Sequence, residues 1–66
     1  MPYIEFESGQ LSAEVKEKLI TTLTEVSAEI TGIPKHLFLV SIRELPDDSI
    51  AVGGKTVRAL KEELGK

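Results

Sequence analysis

The chain has 66 residues, a net charge of −3 and no cysteine, which bounds it to one small domain, 1–66, without disulfides or thiolate zinc sites. His36 is the only histidine, so multi-histidine metal centres are excluded, and acids and bases intermix without the basic patch that nucleic-acid binding needs. No apolar run approaches the ~20 residues of a membrane span and no leader pattern precedes the first element, so a soluble cytoplasmic protein with neither nucleic-acid nor membrane partners is expected.

The segment Pro2-Tyr3-Ile4-Glu5-Phe6-Glu7 alternates with a period of two and predicts a β-strand from its first residue. Pro2, Ile4 and Phe6 share one face; Tyr3, Glu5 and Glu7 share the other. Removal of Met1 would leave Pro2 as a terminal secondary amine held on a strand. Free α-amino groups titrate at about 7.7–8.0, and partial burial or a nearby cation lowers that value. Such an amine is a candidate base near neutral pH. From the strand alone a second reading stands beside it: proline is tolerated where a strand edge needs no ladder donor.

Ser8-Gly9-Gln10 reads as a turn, and Ser12 as the N-cap of a helix with Glu14 in its first turn. Val15, Leu19, Leu23, Val26 and Ile30, flanked by Ile20, then mark one helical face. Gly32 ends the helix and Pro34 blocks its continuation, giving a predicted helix over Ala13–Thr31. Leu37 to Glu44 predicts a second strand, with Phe38, Val40 and Ile42 on one face and Leu37, Leu39, Ser41 and Arg43 on the other. Pro46-Asp47-Asp48-Ser49 reads as a loop. Ile50-Ala51-Val52-Gly53-Gly54 is a short extended piece ending in a glycine turn, and Val57, Leu60 and Leu64 mark a final helical turn or two.

Strand, long helix and strand make an α/β chain built on one β-α-β unit, with parallel strands and a short hairpin or helical tail. Two strands and one helix leave two bare sheet edges and an apolar second face at Leu37 and Leu39. Bare edges invite pairing with another chain, so sheets completed across subunits of a symmetric homo-oligomer are expected. A ligand site at subunit contacts follows, because one protomer lacks the depth to enclose a ligand.

Pro2 on a strand, a β-α-β unit of this length and the late pair Gly53-Gly54 together resemble the 4-oxalocrotonate tautomerase family. The helix start Ser12-Ala13-Glu14-Val15-Lys16-Glu17-Lys18-Leu19-Ile20 is similar to that family's, above all at Lys16-Glu17 and Leu19-Ile20, and so is Ile50-Ala51-Val52-Gly53-Gly54. The similarity runs from Pro2 to about Gly54. It implies a small protomer whose dimers share a four-stranded sheet, with three dimers making a homohexamer. It also implies that Pro2, once Met1 is lost, is the catalytic base, taking a proton from an enol hydroxyl or activated carbon and returning it to another carbon. Such chemistry needs a neutral amine, a donor for the developing enolate oxygen and a cation for the substrate carboxylate. No cofactor or metal is expected.

The chain departs from the family at the carboxylate clamp. Where the best-studied members place an arginine near the helix start, this sequence has Gln10 or Leu11, depending on a one-residue gap; at the second arginine position it has Leu39. Ile50 stands where the family has an aromatic ring. The only arginines are Arg43 and Arg58. Arg43 shares a strand face with Leu39 but lies four residues on, about 13 Å away at ~3.3 Å per residue. Gln10, Leu39, Arg43 and Ile50 are therefore the candidate substrate-binding positions. Gln10 could donate to a carbonyl near a helix start that favours anions. Arg43 reads either as half of a surface ion pair, with Glu44 or a neighbouring subunit's acid, or as a steering charge. Lys35 and His36 read as solvated turn residues. Adjacent Asp47-Asp48 is explained by turn chemistry; Ser41 lacks a base within sequence reach.

The expected function is tautomerisation of a small 2-hydroxydienoate or enol-ketone carboxylate with Pro2 as general base; the absent arginines point to a smaller, monoanionic or less charged substrate, or to weak promiscuous activity. Two alternatives are hydratase or dehalogenase chemistry on a small unsaturated acid with Pro2 as general acid, and a non-catalytic oligomer of the same fold.

Overall fold

Backbone pairing begins at Pro2 itself. Its carbonyl accepts the Leu39 N–H at 2.9 Å, which opens a parallel ladder between β1 (Tyr3–Ser8) and β2 (Leu39–Glu44). A computed structural model describes residues 1–65 of the chain. The register sets Tyr3 opposite Leu39, Phe6 opposite Ile42 and Ser8 opposite Glu44, and a further bond from the Leu45 N–H to the Ser8 carbonyl closes the ladder at 2.9 Å.

The crossover is α1 (Ala13–Thr31), with the bounds that the sequence predicts. Ser12 has extended backbone, and its hydroxyl accepts the Val15 N–H, satisfying one donor of the first turn. At the other end Gly32 adopts φ 75° and returns its N–H to the Ala28 carbonyl at 2.8 Å, a left-handed cap that a Cβ would strain.

Two boundaries differ from the sequence reading. β2 starts at Leu39, not Leu37, because Lys35–Leu37 forms a 3₁₀ turn behind Pro34, whose ring fixes an extended entrance to it. Leu37 therefore leaves the outer strand face, where Leu39 remains. Asp47–Ser49 is likewise a 3₁₀ turn rather than open loop. Beyond it β3 (Ala51–Val52) and β4 (Lys55–Thr56) pair antiparallel. Gly53 and Gly54, at φ 61° and 83°, supply the two left-handed positions of a two-residue hairpin turn. Thr56 then caps α2 (Val57–Leu64) through its hydroxyl, which accepts the Ala59 N–H.

The helix turns a different stripe to the sheet than apolar spacing alone predicts. Leu19 and Leu23 are half-buried, together with Lys16, Ser27 and Ala28, whereas Val15, Ile20, Val26 and Ile30 stay exposed. A 19-residue helix spans about 28 Å and two six-residue strands only about 20 Å, so part of the apolar face has nothing beneath it. Among the described residues no hydrophobic side chain is fully buried. The chain measures 46 × 22 × 16 Å with a radius of gyration of 15.5 Å, against about 11 Å for a compact chain of this length. No helix among the described residues is long and apolar enough to cross a membrane.

Candidate active site

β1 is the ruler that separates the candidate residues into two groups. Pro2 and Leu39 lie at its beginning and Gln10 lies beyond its end. Six strand residues at ~3.3 Å each put about 20 Å between the two ends.

At the first end Pro2 is half-buried and fixed through its carbonyl, while Met1 projects into solvent with 81% of its surface exposed. With Met1 attached the Pro2 nitrogen is an amide; without it, an amine held by a strand. Leu39 is half-exposed on the outer sheet face, in register with Tyr3. The Tyr3 hydroxyl and the Ser41 hydroxyl share a hydrogen bond of 2.9 Å on that face. Ser41 thus has a partner, and that partner is a phenol.

At the second end a groove of about 500 Å³ opens between the β1–α1 turn, the residues after β2 and the start of α2. Gln10 and Ile50 both line it, so the structure brings these two candidates together. Leu45 and Val57 add apolar wall, and Glu7, Asp47 and Lys61 bring charge to it.

Arg43 does not enter the groove lining. It pairs across the ladder with Glu7, its guanidinium 3.9 Å from the carboxylate, both largely exposed. Glu44 is not its partner, because successive strand residues point to opposite faces. Glu44 turns inward instead. Its Oε1 takes a 2.6 Å hydrogen bond from Lys16 Nζ and its Oε2 accepts the Leu11 N–H at 3.1 Å. The Lys16 bond first, and the Leu11 N–H second, hold the Glu44 carboxyl below the usual carboxylate range. One side chain thus ties the end of β2 to the turn that carries Gln10.

That latch has a sign. A carboxyl whose folded pKa is depressed contributes stability above its unfolded value, about 4.3, and loses it as pH falls through the folded value. Wild type should therefore be more stable than Glu44→Gln at pH 7, with the gap closing on acidification toward pH 3. Thermal unfolding across that range measures it; a gap independent of pH would remove the ionised latch.

Neither Glu44 nor Lys61 stands out in the sequence. Lys16 and Glu44 are 28 residues apart and meet only once the parallel register is set. Lys61 had a fainter signal, since it follows Val57 by four positions and shares its helix face. Among the described residues no three acidic or histidine side chains cluster as a metal site requires.

The family model described as tautomerase enzyme matches residues 2–60. Among solved structures, a 4-oxalocrotonate tautomerase isozyme from Methylibium petroleiphilum is 27% identical, with a TM-score of 0.84 over 89% of this chain and 97% of that one. The apo form of unFused 4-OT is 33% identical, with a TM-score of 0.82 over 89% and 98% of the two chains. TomN, a 4-oxalocrotonate tautomerase homologue of the tomaymycin biosynthetic pathway, is 26% identical, with a TM-score of 0.88 over 92% and 95%. No curated protein matches the sequence.

Proposed function

Because this chain belongs to the tautomerase family, we propose that it is an isomerase that moves a proton within a small enol or dienol carboxylate, with Pro2 as general base once Met1 is removed. The observation that carries this reading is the placement of Pro2: half-buried, at the start of the ladder, with its carbonyl tied to Leu39 and its nitrogen joined to the exposed Met1. Loss of Met1 frees an amine whose position is already fixed, so little ordering is left for the reaction step. The amine takes the enol proton and returns it to carbon, and a hydrogen-bond donor stabilises the enolate oxygen between the two steps.

A single protomer cannot apply Pro2 and the Gln10–Ile50 groove to one small substrate, being about 20 Å apart. A two-fold axis that joins a free edge of this sheet to the same edge of a second copy sets the strands antiparallel, and so lays the Pro2 end of one copy beside the groove end of the other. The working unit is therefore a homo-oligomer of dimers with shared sheets, a homohexamer in the arrangement that the resemblance implies. Among the described residues, the lack of a buried core, the uncovered helix flank at Val15, Val26 and Ile30, and the unpaired edges support it.

The test is ultraviolet-monitored ketonisation of phenylenolpyruvate by protein whose intact mass confirms loss of Met1. Acceleration above the buffer rate is expected. A rate equal to buffer, with the amine free and the oligomer intact, would overturn the isomerase reading for this substrate class.

A further inference from the structure

The groove holds one basic side chain among the described residues, and it is Lys61. The two arginines are committed elsewhere, Arg43 beside Glu7 on the outer sheet face and Arg58 hydrogen-bonded to Asp48. Lys61 reaches the groove from α2, one helical turn beyond Val57, and its Nζ stands 2.9 Å from Asp47 Oδ2. The Lys61 side chain is 66% exposed and that of Asp47 26%, so the ammonium faces solvent and an incoming carboxylate can compete with Asp47 for it.

We infer that Lys61 is the cation that receives the substrate carboxylate in the Gln10–Ile50 groove, and that Asp47, its displaced partner, limits the substrate to a single carboxylate. The inference rests on the isomerase reading only for calling the ligand a substrate. Once Lys61 is taken by one carboxylate, a second would lie against Asp47, which has then lost its cation, while the other groove acid, Glu7, already has Arg43 at 3.9 Å. Gln10 can then donate its amide to the carbonyl or enol oxygen next to the bound carboxylate. The apolar wall of Ile50, Val57 and Leu45 accepts a hydrocarbon or aryl tail.

Binding of unreactive probes separates this inference from catalysis. Titration of ¹⁵N-labelled protein, Met1 removed, with cinnamate should shift the Gly9 and Gln10 amides. Lys61→Met should weaken cinnamate by about tenfold, the scale of one charge-assisted hydrogen bond. Lys61→Arg should keep the affinity, and Asp47→Asn, which releases Lys61 from its competitor, should raise it. Uncharged cinnamamide should be indifferent to Lys61→Met, and the dicarboxylate muconate should bind more weakly than cinnamate. The opposite signs of Lys61→Met and Asp47→Asn matter, because a purely structural ion pair would move both variants the same way. Equal cinnamate affinity in wild type and Lys61→Met, a common direction for the two variants, or no saturable binding to wild type would overturn the assignment. Lys61-dependent binding without ketonisation would instead remove the isomerase reading and leave Lys61 in place.

Discussion

Replacing Pro2 by alanine is expected to lower kcat/KM for enol ketonisation by about 10²-fold or more, the range for loss of a positioned general base, with the assembly unchanged. Alanine still leaves a terminal amine, so the loss measures the secondary amine and its ring-fixed geometry. Protein isolated with Met1 attached should match or exceed that loss although every side chain is present, because the Pro2 nitrogen is then an amide without basicity. The pH profile gives the direction of proton transfer. A base must be neutral, so kcat/KM should rise with pH through the amine pKa, about 7.7–8.0 when unperturbed and lower beside a cation. A Pro2 acting as acid, as hydration or dehalogenation of an unsaturated acid would require, gives the reverse slope and a raised pKa. Alanine and Met1-bearing proteins as active as wild type would take the base role from Pro2, and only a wild type at the buffer rate would leave the non-catalytic oligomer.

The long-range plan of this chain was legible because its signals are local and redundant. Ser12, the helix periodicity, Gly32 and Pro34 each point to the same helix, and the bounds agree at both ends. The Gly53-Gly54 pair similarly marks a hairpin that needs two left-handed residues. The start of β2 was not legible in the same way: Leu37, Phe38 and Leu39 are all apolar, and only the tertiary ladder shows that pairing begins at Leu39, opposite Tyr3. The helix stripe was misplaced for a related reason. Apolar periodicity marks every apolar surface of the helix, and a sheet two strands wide covers only part of it. Of the candidate site, Pro2 could be read from its position and Gln10 and Ile50 from resemblance. Lys61 and Glu44 could not, since their importance depends on which residues lie across the groove or beneath the turn.

The separation between Pro2 and the groove leads to a large expected effect of mixing. Pro2→Ala keeps an intact groove but lacks the base, whereas Ile50→Glu keeps the base but sets an acid into the wall where a carboxylate must bind. Each homo-oligomer should be nearly inactive. Unfolded together in equal amounts and refolded, the two chains should recover about one quarter of wild-type activity, because random association pairs a competent Pro2 with a competent neighbouring groove at that frequency. The same chains refolded apart and then combined should stay inactive until subunits exchange, which makes the gain a matter of assembly and not of substrate handling. Before mixing, Ile50→Glu must sediment as the wild-type oligomer, since Ile50 is half-buried. If the site lay within one protomer, no mixture could place both intact parts on one chain, and the refolded sample would show only the average of its parents. Recovery near one quarter would locate catalysis at the contact between copies. It would also account for a chain this short leaving its helix flank, its sheet edges and its groove open: each is one side of a surface completed by another copy.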